Sequence, residues 1–390
     1  MITPLLKKQK TNVLILSLVY YPQFVGGAEI AVKEVTDRIS REEVEFHMVT
    51  LHAPASLSTS ERVGNVEVYR VLPQAPLPLA KLLFPFAACL KAWRLHRKNH
   101  YDLAWAIMAN YAGFAALFLK YIFPRVKFLL TLQEGDPIPY IKKRVRFIYP
   151  LFRKIFTKAD SIQAISNYLA DWAKEMGARC FVVVIPNGVD VKKFMNEESG
   201  IVSYELKNKL GINDWDKVLI TTSRLVEKNA VGDVIEAMKF LPENAKFLIL
   251  GTGPLEKNLR QTTDRLQLGE RVKFLGFIPH QELPAYLHIS DIFIRPSLSE
   301  GMGNSFIEAM AAGVPVIATL VGGIPDFLKD KETGLFCAVH DPKGIARKVT
   351  VLLRDQEIRS YIIQNAQKLV SEKYDWNLVA SKMKTILLVN

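Results

Sequence analysis

Two glutamates and the glycines between them are the residues whose types and spacing most clearly suit chemistry. Residues 297–312 read Ser-Leu-Ser-Glu-Gly-Met-Gly-Asn-Ser-Phe-Ile-Glu-Ala-Met-Ala-Ala, which places Glu300 and Glu308 on either side of a glycine-rich turn. Carboxylates accept hydrogen bonds from vicinal hydroxyl groups. Glycines let backbone N–H groups approach a polar ligand closely, and a helix N-terminus adds about half a positive charge. The segment therefore predicts a site for a ligand with both hydroxyls and phosphates, such as a nucleotide sugar.

These residues lie between a predicted strand and a predicted helix. The apolar run 292–294 is typical of a buried strand, and helical spacing begins after Asn304 and ends at Gly-Val-Pro, residues 313–315. Glu300 is thus expected at the carboxyl end of a strand, with Glu308 about one turn inside the following helix. Ligands of open α/β sheets bind at that edge.

Strand-like runs alternate with helical patterns along almost the whole chain of 390 residues, which is too long for one ordinary core. The alternation predicts an α/β protein with two parallel sheets. The turn-rich segment 185–190 places the boundary near 195, giving domains at 1–195 and 196–373 and a final helix within 374–390. The predicted strands are 12–18, 45–50, 103–108, 127–132, 161–164, 182–185, 218–222, 246–250, 272–275, 292–294 and 315–319.

Composition and apolar runs predict a cytoplasmic protein. The three cysteines are scattered and lack metal-binding or redox spacing, which is typical of a reducing compartment. The apolar run 13–21 lacks a small-residue cleavage site and is interpreted as a first strand rather than a signal peptide. The run 103–119 is interrupted by Asn110 and Gly113 and is shorter than the roughly 20 residues of a membrane span.

The net charge of +12 lies almost entirely in the first half of the chain. Residues 1–180 carry 25 Lys and Arg against 14 Asp and Glu, whereas residues 181–390 carry 26 against 25. Two basic stretches contain aromatic residues: 140–158 with Phe147, and 81–98 with Phe84, Phe86 and Trp93. Interfacial helices combine such cations with exposed aromatics. We expect the first half of the chain to dock on the inner face of an anionic membrane. The alternative is that these basic residues form only a solvated protein surface.

The stretch 140–158 also has a second, more ordinary feature. Its apolar residues recur at helical spacing on one stripe, which predicts a core-facing side, and Pro150 is expected to kink or interrupt the helix. The stripe consists of Ile141, Val145, Ile148, Phe152 and Ile155.

Six motifs in one order resemble the retaining glycosyltransferases of family 4. They are Gly-Gly-Ala-Glu at 26–29, Ile-Pro-Asn-Gly-Val-Asp at 185–190, Ser-Arg-Leu-Val-Glu-Lys-Asn at 223–229, Gly-Thr-Gly-Pro at 251–254, Gly-Phe-Ile-Pro at 276–279, and the glutamate pair with Ala-Gly-Val-Pro-Val-Ile-Ala-Thr at 312–319. The resemblance implies a GT-B fold, with two facing Rossmann-like domains and a C-terminal helix that crosses back to the first. It also implies retaining transfer of a hexose from a nucleotide diphosphate sugar to an acceptor bound by the first half.

The resemblance also implies roles for individual residues. Arg224 and Lys228 would stabilise charge on the departing diphosphate, since fixed cations are a large catalytic term there. Glu300 would contact the transferred sugar, and Glu308 the ribose hydroxyls. The remaining donor-binding positions would be Gly26, Gly27, Gly253, Phe277, Ile278, Gly301, Met302, Gly303 and Asn304. Simpler interpretations stay open: a solvated cation pair, a capping glutamate at Glu308, and plain turns at the glycines.

One segment departs from the family pattern. Many relatives carry a histidine where this chain reads Thr-Leu-Gln-Glu-Gly-Asp-Pro, residues 131–137. Gln133, Glu134 and Asp136 are therefore the candidates for contacts on the acceptor side. The seven histidines of the chain form no motif and are interpreted as structural. No carboxylate–histidine metal pattern is apparent, so no metal or other cofactor is expected to be required.

Two other functions fit parts of the same pattern. A nucleotide-sugar epimerase of this fold would convert the donor without any acceptor. A nucleic-acid-binding protein would explain the pI of about 9.4, but the basic residues are interleaved with apolar stripes and no nucleic-acid module is recognised. We therefore expect a glycan or lipid-linked acceptor and no nucleic-acid partner.

Overall fold

The computed structural model describes residues 10–22, 26–52, 57–72, 76–196 and 200–388, without the side chains of 200–202. They form two compact α/β units, each built on its own sheet. The first unit consists of the described residues up to Glu134, of 138–187, and of the chain from Trp376 onward. The second consists of 135–137 and 188–375.

The first unit contains a sheet of eight strands in the order β3-β4-β2-β1-β5-β6-β7-β8. All neighbouring strands are parallel except β3 and β4, which are antiparallel. The strands are β1 Thr11–Leu16, β2 Val44–Leu51, β3 Ser60–Val63, β4 Val66–Val71, β5 Leu103–Ile107, β6 Lys127–Leu132, β7 Ser161–Ala164 and β8 Phe181–Val184. Between them lie α1 Gly27–Asp37, α2 Leu77–Asn99, α3 Tyr111–Ile122, α4 Ile138–Arg144, α5 Tyr149–Lys158 and α6 Asn167–Glu175.

The second unit contains a fully parallel sheet of six strands in the order β11-β10-β9-β12-β13-β14. The strands are β9 Lys217–Thr222, β10 Ala245–Leu250, β11 Val272–Gly276, β12 Ile292–Arg295, β13 Val316–Thr319 and β14 Leu335–Cys337. The helices are α7 Val191–Met195, α8 Gly200–Leu210, α9 Val231–Ala237, α10 Glu256–Arg265, α11 Leu283–His288, α12 Asn304–Ala311, α13 Pro342–Arg354 and α14 Gln356–Lys373. Because the strands are parallel, their carboxyl ends meet at one edge, where the functional loops lie.

The predicted α/β class with two parallel sheets is confirmed, and every predicted strand is present with ends shifted by at most two residues. Prediction missed β3, β4 and β14. Of these, β4 alternates buried and half-buried residues from Val66 to Val71, whereas β3 is short and polar. The chain passes from the first unit to the second at 187–188, near the predicted boundary at 195. The N–H of Val189 donates to the carbonyl of Tyr374, and both residues belong to the second unit.

Two expectations about the basic stretches were wrong in detail. The helix at 140–158 is interrupted at 145–148, before Pro150, which occupies the first turn of α5, where proline is tolerated. Ile148 is consequently exposed rather than part of a core stripe. Phe84 is fully buried, because it lies on the face of α2 that packs into the unit.

Within the described residues, no helix has the length and apolar character needed to cross a membrane.

The last helix, α15 Trp376–Leu387, belongs to the first unit and packs on α1. Its apolar stripe is part of the hydrophobic core that α1 and the first unit's sheet also form. The buried members of the stripe are Trp376, Val379, Ala380, Met383 and Leu387.

Removing α15 should therefore destabilise the first unit. Each large side chain of the stripe contributes about 1.5–3 kcal/mol by burial, so the sum approaches the total stability of a domain. A chain that stops after Asp375 is expected to aggregate or to lose several degrees of melting temperature, as measured by size-exclusion chromatography and thermal melting. Leu378, which is exposed on the same helix, provides the control, since Leu378→Ala should leave both properties unchanged. A soluble truncated chain with parental melting temperature would contradict this account.

Candidate functional site

The candidate site lies at the carboxyl edge of the second sheet, on the loops that follow β9 and β12. The two strands are neighbours, so their loops emerge side by side. The loop after β9 contains a 3₁₀ turn at Glu227–Asn229, and its Lys228 carbonyl accepts a hydrogen bond of 2.6 Å from the N–H of Leu298. This bond ties the segment that carries the predicted cations to the segment that carries Glu300.

Glycine is required at two positions of this edge. Gly303 has a φ of +90°, and a Cβ there would lie 2.6 Å from the Arg295 guanidinium and from the Phe306 ring. Gly322 also has a positive φ, and a Cβ there would overlap the carbonyl oxygen of Glu300. The backbone of Glu300 is thus held closely by the turn after β13, whose Gly323 N–H donates to the same carbonyl.

Glu300 is paired with a buried arginine. Its Oε2 accepts a hydrogen bond of 2.8 Å from Nη2 of Arg295, the last residue of β12. The two side chains are only 13% and 7% exposed. Burial lowers the pKa of Arg295 from its ordinary value, while the charges of Glu300 and Glu308 act to raise it. A nearly buried pair of this kind fixes the direction of the carboxylate.

Glu308 lies in the second turn of α12 and is buried as well. Its Oε1 lies 2.9 Å from Nε2 of His280, in the loop after β11. The carbonyl of His280 accepts a hydrogen bond of 3.1 Å from Lys193 Nζ, and its ring contacts Phe194, so α7 supports this loop. Each of the two glutamates therefore has a basic partner.

Of the two predicted cations, Lys228 lies near Glu300. Arg224 is exposed, and its carbonyl accepts a hydrogen bond of 2.6 Å from the side chain of Asn229. Lys228 Nζ lies 3.4 Å from Asp136. A Cβ added to Gly135 would lie 2.8 Å from Lys228 Nζ and 3.7 Å from Glu300 Oε1. An ammonium and a carboxylate thus flank a single point, which suits a ligand that carries both phosphate and hydroxyl groups.

The predicted donor-binding glycines and their neighbours have different environments. Gly301 and Met302 are buried, and the Met302 side chain belongs to the core, so this residue can offer only backbone groups to a ligand. Gly303 and Asn304 begin α12, whose N-terminal amides carry the positive end of the helix dipole. Gly253 has a packing reason to be glycine, because a Cβ there would overlap the backbone of Leu225.

The loop after β11 presents an aromatic side chain at the same edge of the second unit. Phe277 is exposed, whereas the adjacent Ile278 is half-buried. An exposed ring at this edge is suited to stacking on a planar ligand group.

The remaining predicted residues are divided between the units. In the first unit, the Gly26 N–H donates to Glu29 and Gly27 begins α1, so the glycine pair forms a helix cap. Burial raises the pKa of Glu29. The Asn187 side chain donates to Gln133, and Glu134 accepts a hydrogen bond of 2.6 Å from the Ala109 N–H. Asp136, the third member of the acceptor-side set, belongs to the second unit with Lys228.

Prediction missed two residues of the site, Arg295 and His280. Arg295 ends an otherwise apolar strand, Ile-Phe-Ile-Arg, and this contrast was the available signal. His280 was interpreted as structural because no sequence motif connects it to Glu308.

No group of three or more His, Cys, Asp or Glu suited to hold a metal ion occurs among the residues that the structure describes.

Two family models match this chain. The model described as "Glycosyl transferases group 1" matches residues 202–369, and "Glycosyltransferase Family 4" matches residues 25–193. Together they include every strand except β1, and the loops described above. The chain belongs to the group 1 glycosyltransferases. The enzyme therefore transfers a sugar from a nucleotide-sugar donor.

Individual relatives of this group 1 glycosyltransferase differ in the acceptor that their names give. The N-acetyl-alpha-D-glucosaminyl L-malate synthase of Bacillus anthracis is 28% identical over 94% of both chains. The GDP-mannose-dependent monoacylated alpha-(1-6)-phosphatidylinositol monomannoside mannosyltransferase of Corynebacterium glutamicum is 32% identical over 60% of this chain and 64% of its own. HepE (Alr3699) of Anabaena, solved with UDP-glucose, superimposes with a TM-score of 0.78 at 22% identity, covering 96% of this chain and 99% of its own. The structural match shows the GT-B fold.

Proposed function

We propose that this group 1 glycosyltransferase transfers a hexose, with retention of anomeric configuration, from a nucleoside diphosphate sugar to a glycan or lipid-linked acceptor at a membrane. The observation that carries the proposal is the single edge of the second unit that holds Glu300, Glu308, Lys228 and the N-terminus of α12. The UDP-glucose complex of HepE and the GDP-mannose dependence of the Corynebacterium relative support the donor class.

The residues of this edge divide the donor between them. Glu308 accepts hydrogen bonds from the ribose hydroxyls, and Glu300 from the hydroxyls of the transferred sugar. Arg224, Lys228 and the amides at the start of α12 stabilise the negative charge that grows on the departing diphosphate. Because Glu300 and Glu308 are held by Arg295 and His280 before the reaction, little reorganisation of these two carboxylates is needed in the transition state.

Retention follows from how the acceptor attacks. The acceptor hydroxyl forms its bond to the anomeric carbon on the same face from which the diphosphate leaves, and the departing phosphate oxygen takes the hydroxyl proton. No covalent bond to the protein forms in this scheme. The pairing of Glu300 Oε2 with Arg295 agrees with a role in binding rather than as a nucleophile.

A transfer assay tests this function. The enzyme is incubated with UDP, GDP and ADP sugars of α configuration, with and without a lipid extract as acceptor, and the products are identified by NMR. The proposal expects donor consumption that depends on the extract and yields an α-linked product, without added metal. A β-linked product would contradict retention. Conversion of the donor to another nucleotide sugar without an acceptor would indicate an epimerase instead.

The surface of the first unit supports a membrane-borne acceptor. Helix α2 exposes an apolar stripe at helical spacing, with Leu82 64% and Phe86 63% exposed, and has no acidic residue. The complete stripe is Leu79, Leu82, Leu83, Phe86 and Leu90. In the same unit, Phe147 is 84% exposed, with the Arg146 guanidinium 4.5 Å from its ring centroid. Apolar side chains combined with cations suit an anionic membrane surface, at about 1 kcal/mol for each Lys or Arg near it.

Sedimentation with vesicles tests the docking. At low salt the protein is expected to bind anionic vesicles and not neutral ones, and binding should weaken as salt is raised. Phe147→Ser combined with Lys143→Glu and Lys154→Glu should abolish binding, as should Leu82→Ser with Phe86→Ser. The control is Trp215→Ser with Lys329→Glu, since both residues are exposed on the second unit. Equal binding to both vesicle types, or unchanged binding by both test variants, would exclude the docking surface.

The alternative of a nucleic-acid-binding protein is tested by filter binding. We expect the protein to retain neither RNA nor duplex DNA.

A further inference from the structure

Arg295 is the one charged residue of β12, and it is buried. Its guanidinium contacts three separate parts of the second unit. Nη1 donates to the Thr222 carbonyl at the end of β9 (3.3 Å) and to Ser305 Oγ in the first turn of α12 (2.7 Å). Nη2 donates to Glu300 Oε2, and the guanidinium lies 4.1 Å from the centroid of the Phe306 ring.

Stability alone does not explain a charge in this place. Removing two charges from water costs several kcal/mol per ion, and a buried ion pair is often no more stabilising than apolar residues of the same volume. The remainder of β12, Ile-Phe-Ile, is apolar and buried, so the position is compatible with an apolar residue. The guanidinium is instead arranged as a connector, because its donors join β9, α12 and the carboxylate of Glu300.

We propose that Arg295 is a positioning residue that holds the Glu300 carboxylate correctly oriented toward the hydroxyls of the transferred sugar. This inference rests on the proposed function of Glu300. The hydrogen bond to Arg295 uses Oε2 of Glu300. The other oxygen, Oε1, lies 3.7 Å from the position that a Cβ on Gly135 would take, and that position is 2.8 Å from Lys228 Nζ. Glu308 is the second carboxylate whose charge acts on Arg295, and Lys228 is the cation beside Glu300. Glycine at 303 leaves room for the guanidinium, so the position of Arg295 depends on the glycine in this turn.

The first test measures kinetics in Arg295→Met, which is similar in length and uncharged, and in Arg295→Lys, which keeps the charge. Arg295→Met is expected to lower kcat by about 10²-fold, the size typical of losing one organising donor, with less than a threefold change in donor KM. Arg295→Lys should restore part of kcat, because it keeps a positive charge beside Glu300. A kcat of Arg295→Met within twofold of the parent, or a loss that appears mainly in donor KM, would overturn the proposal.

The second test is a double-mutant cycle with Glu300→Gln. If Arg295 acts through Glu300, adding Arg295→Met to Glu300→Gln should change kcat by less than twofold. The double variant also removes both charges, so it is expected to fold even if Arg295→Met alone does not. Full additivity of the two losses would show that Arg295 acts independently of Glu300.

The third measurement does not depend on activity and separates this inference from the proposed function. Each single variant leaves one buried charge without its partner, so Arg295→Met and Glu300→Gln should each lower the melting temperature, and the double variant should melt higher than either. A parent enzyme that transfers no sugar would contradict the proposed function, whereas melting losses that simply add in the double variant would contradict the pairing itself.

Discussion

Replacing Arg224 or Lys228 with alanine should lower turnover by about 10²–10³-fold, as the loss of one charge-stabilising group does in other active sites. Both cations are proposed to stabilise the diphosphate as its negative charge grows, so the loss should appear in kcat more than in KM. Steady-state kinetics with a saturating acceptor measure it. The melting temperature should change little, because Arg224 is exposed and the ion pair of Lys228 with Asp136 is partly solvated, worth about 0–1 kcal/mol.

Matched controls for these variants are available on the same unit. Arg347 and Lys329 are exposed and form ion pairs with Asp341 and Glu332. Arg347→Ala and Lys329→Ala should keep parental activity. The assignment of Arg224 or Lys228 is wrong if its alanine variant retains more than half of the parent's turnover.

Glu300→Gln should reduce transfer more severely than Glu308→Gln. Glu300 is assigned to the reacting sugar, so its replacement weakens contacts that form at the reacting ring, whereas Glu308 is assigned to the ribose and its replacement should mainly raise donor KM. Kinetics with varied donor concentration separate the two effects. Equal losses, or a larger loss of kcat in Glu308→Gln, would contradict this division of roles.

Stability must be measured alongside these glutamate variants. Glu300→Gln leaves Arg295 without its carboxylate, and an unpaired buried charge destabilises a protein by itself. The variant Arg295→Met with Glu300→Gln removes that complication. If it melts like the parent and remains inactive, the loss of transfer belongs to Glu300 and not to unfolding.

The fold and the two glutamates could be predicted because their signals are local. Continuous apolar runs identify buried parallel strands, and the order Glu-Gly-Met-Gly-Asn places Glu300 and Glu308 around one helix start regardless of the rest of the chain. The burial of Phe84 was missed because a helix with apolar residues on several faces does not reveal which face is inside.

The partners of the glutamates depend on tertiary contacts. His280 is 28 positions away from Glu308, and only the adjacency of the loop after β11 to α12 brings them together. Arg295 is close to Glu300 in sequence, yet its direction depends on the space left by Gly303 and on the carbonyl at the end of β9. Likewise, only the contacts of Asp136 show that it lies with Lys228 rather than with Gln133 and Glu134.

We propose that the edge of the second unit carrying Glu300 and Glu308 binds a nucleoside diphosphate sugar. The most direct measurement is the melting temperature of the parent and of Glu308→Gln in the presence of UDP, GDP and ADP sugars. Binding to the folded state raises the melting temperature by mass action, and about 100-fold excess over Kd adds about 2.7 kcal/mol. We expect one nucleotide class to raise the melting temperature of the parent and to leave that of Glu308→Gln nearly unchanged at the same concentration. No shift with any nucleotide sugar, or the same shift in both proteins, would contradict the claim.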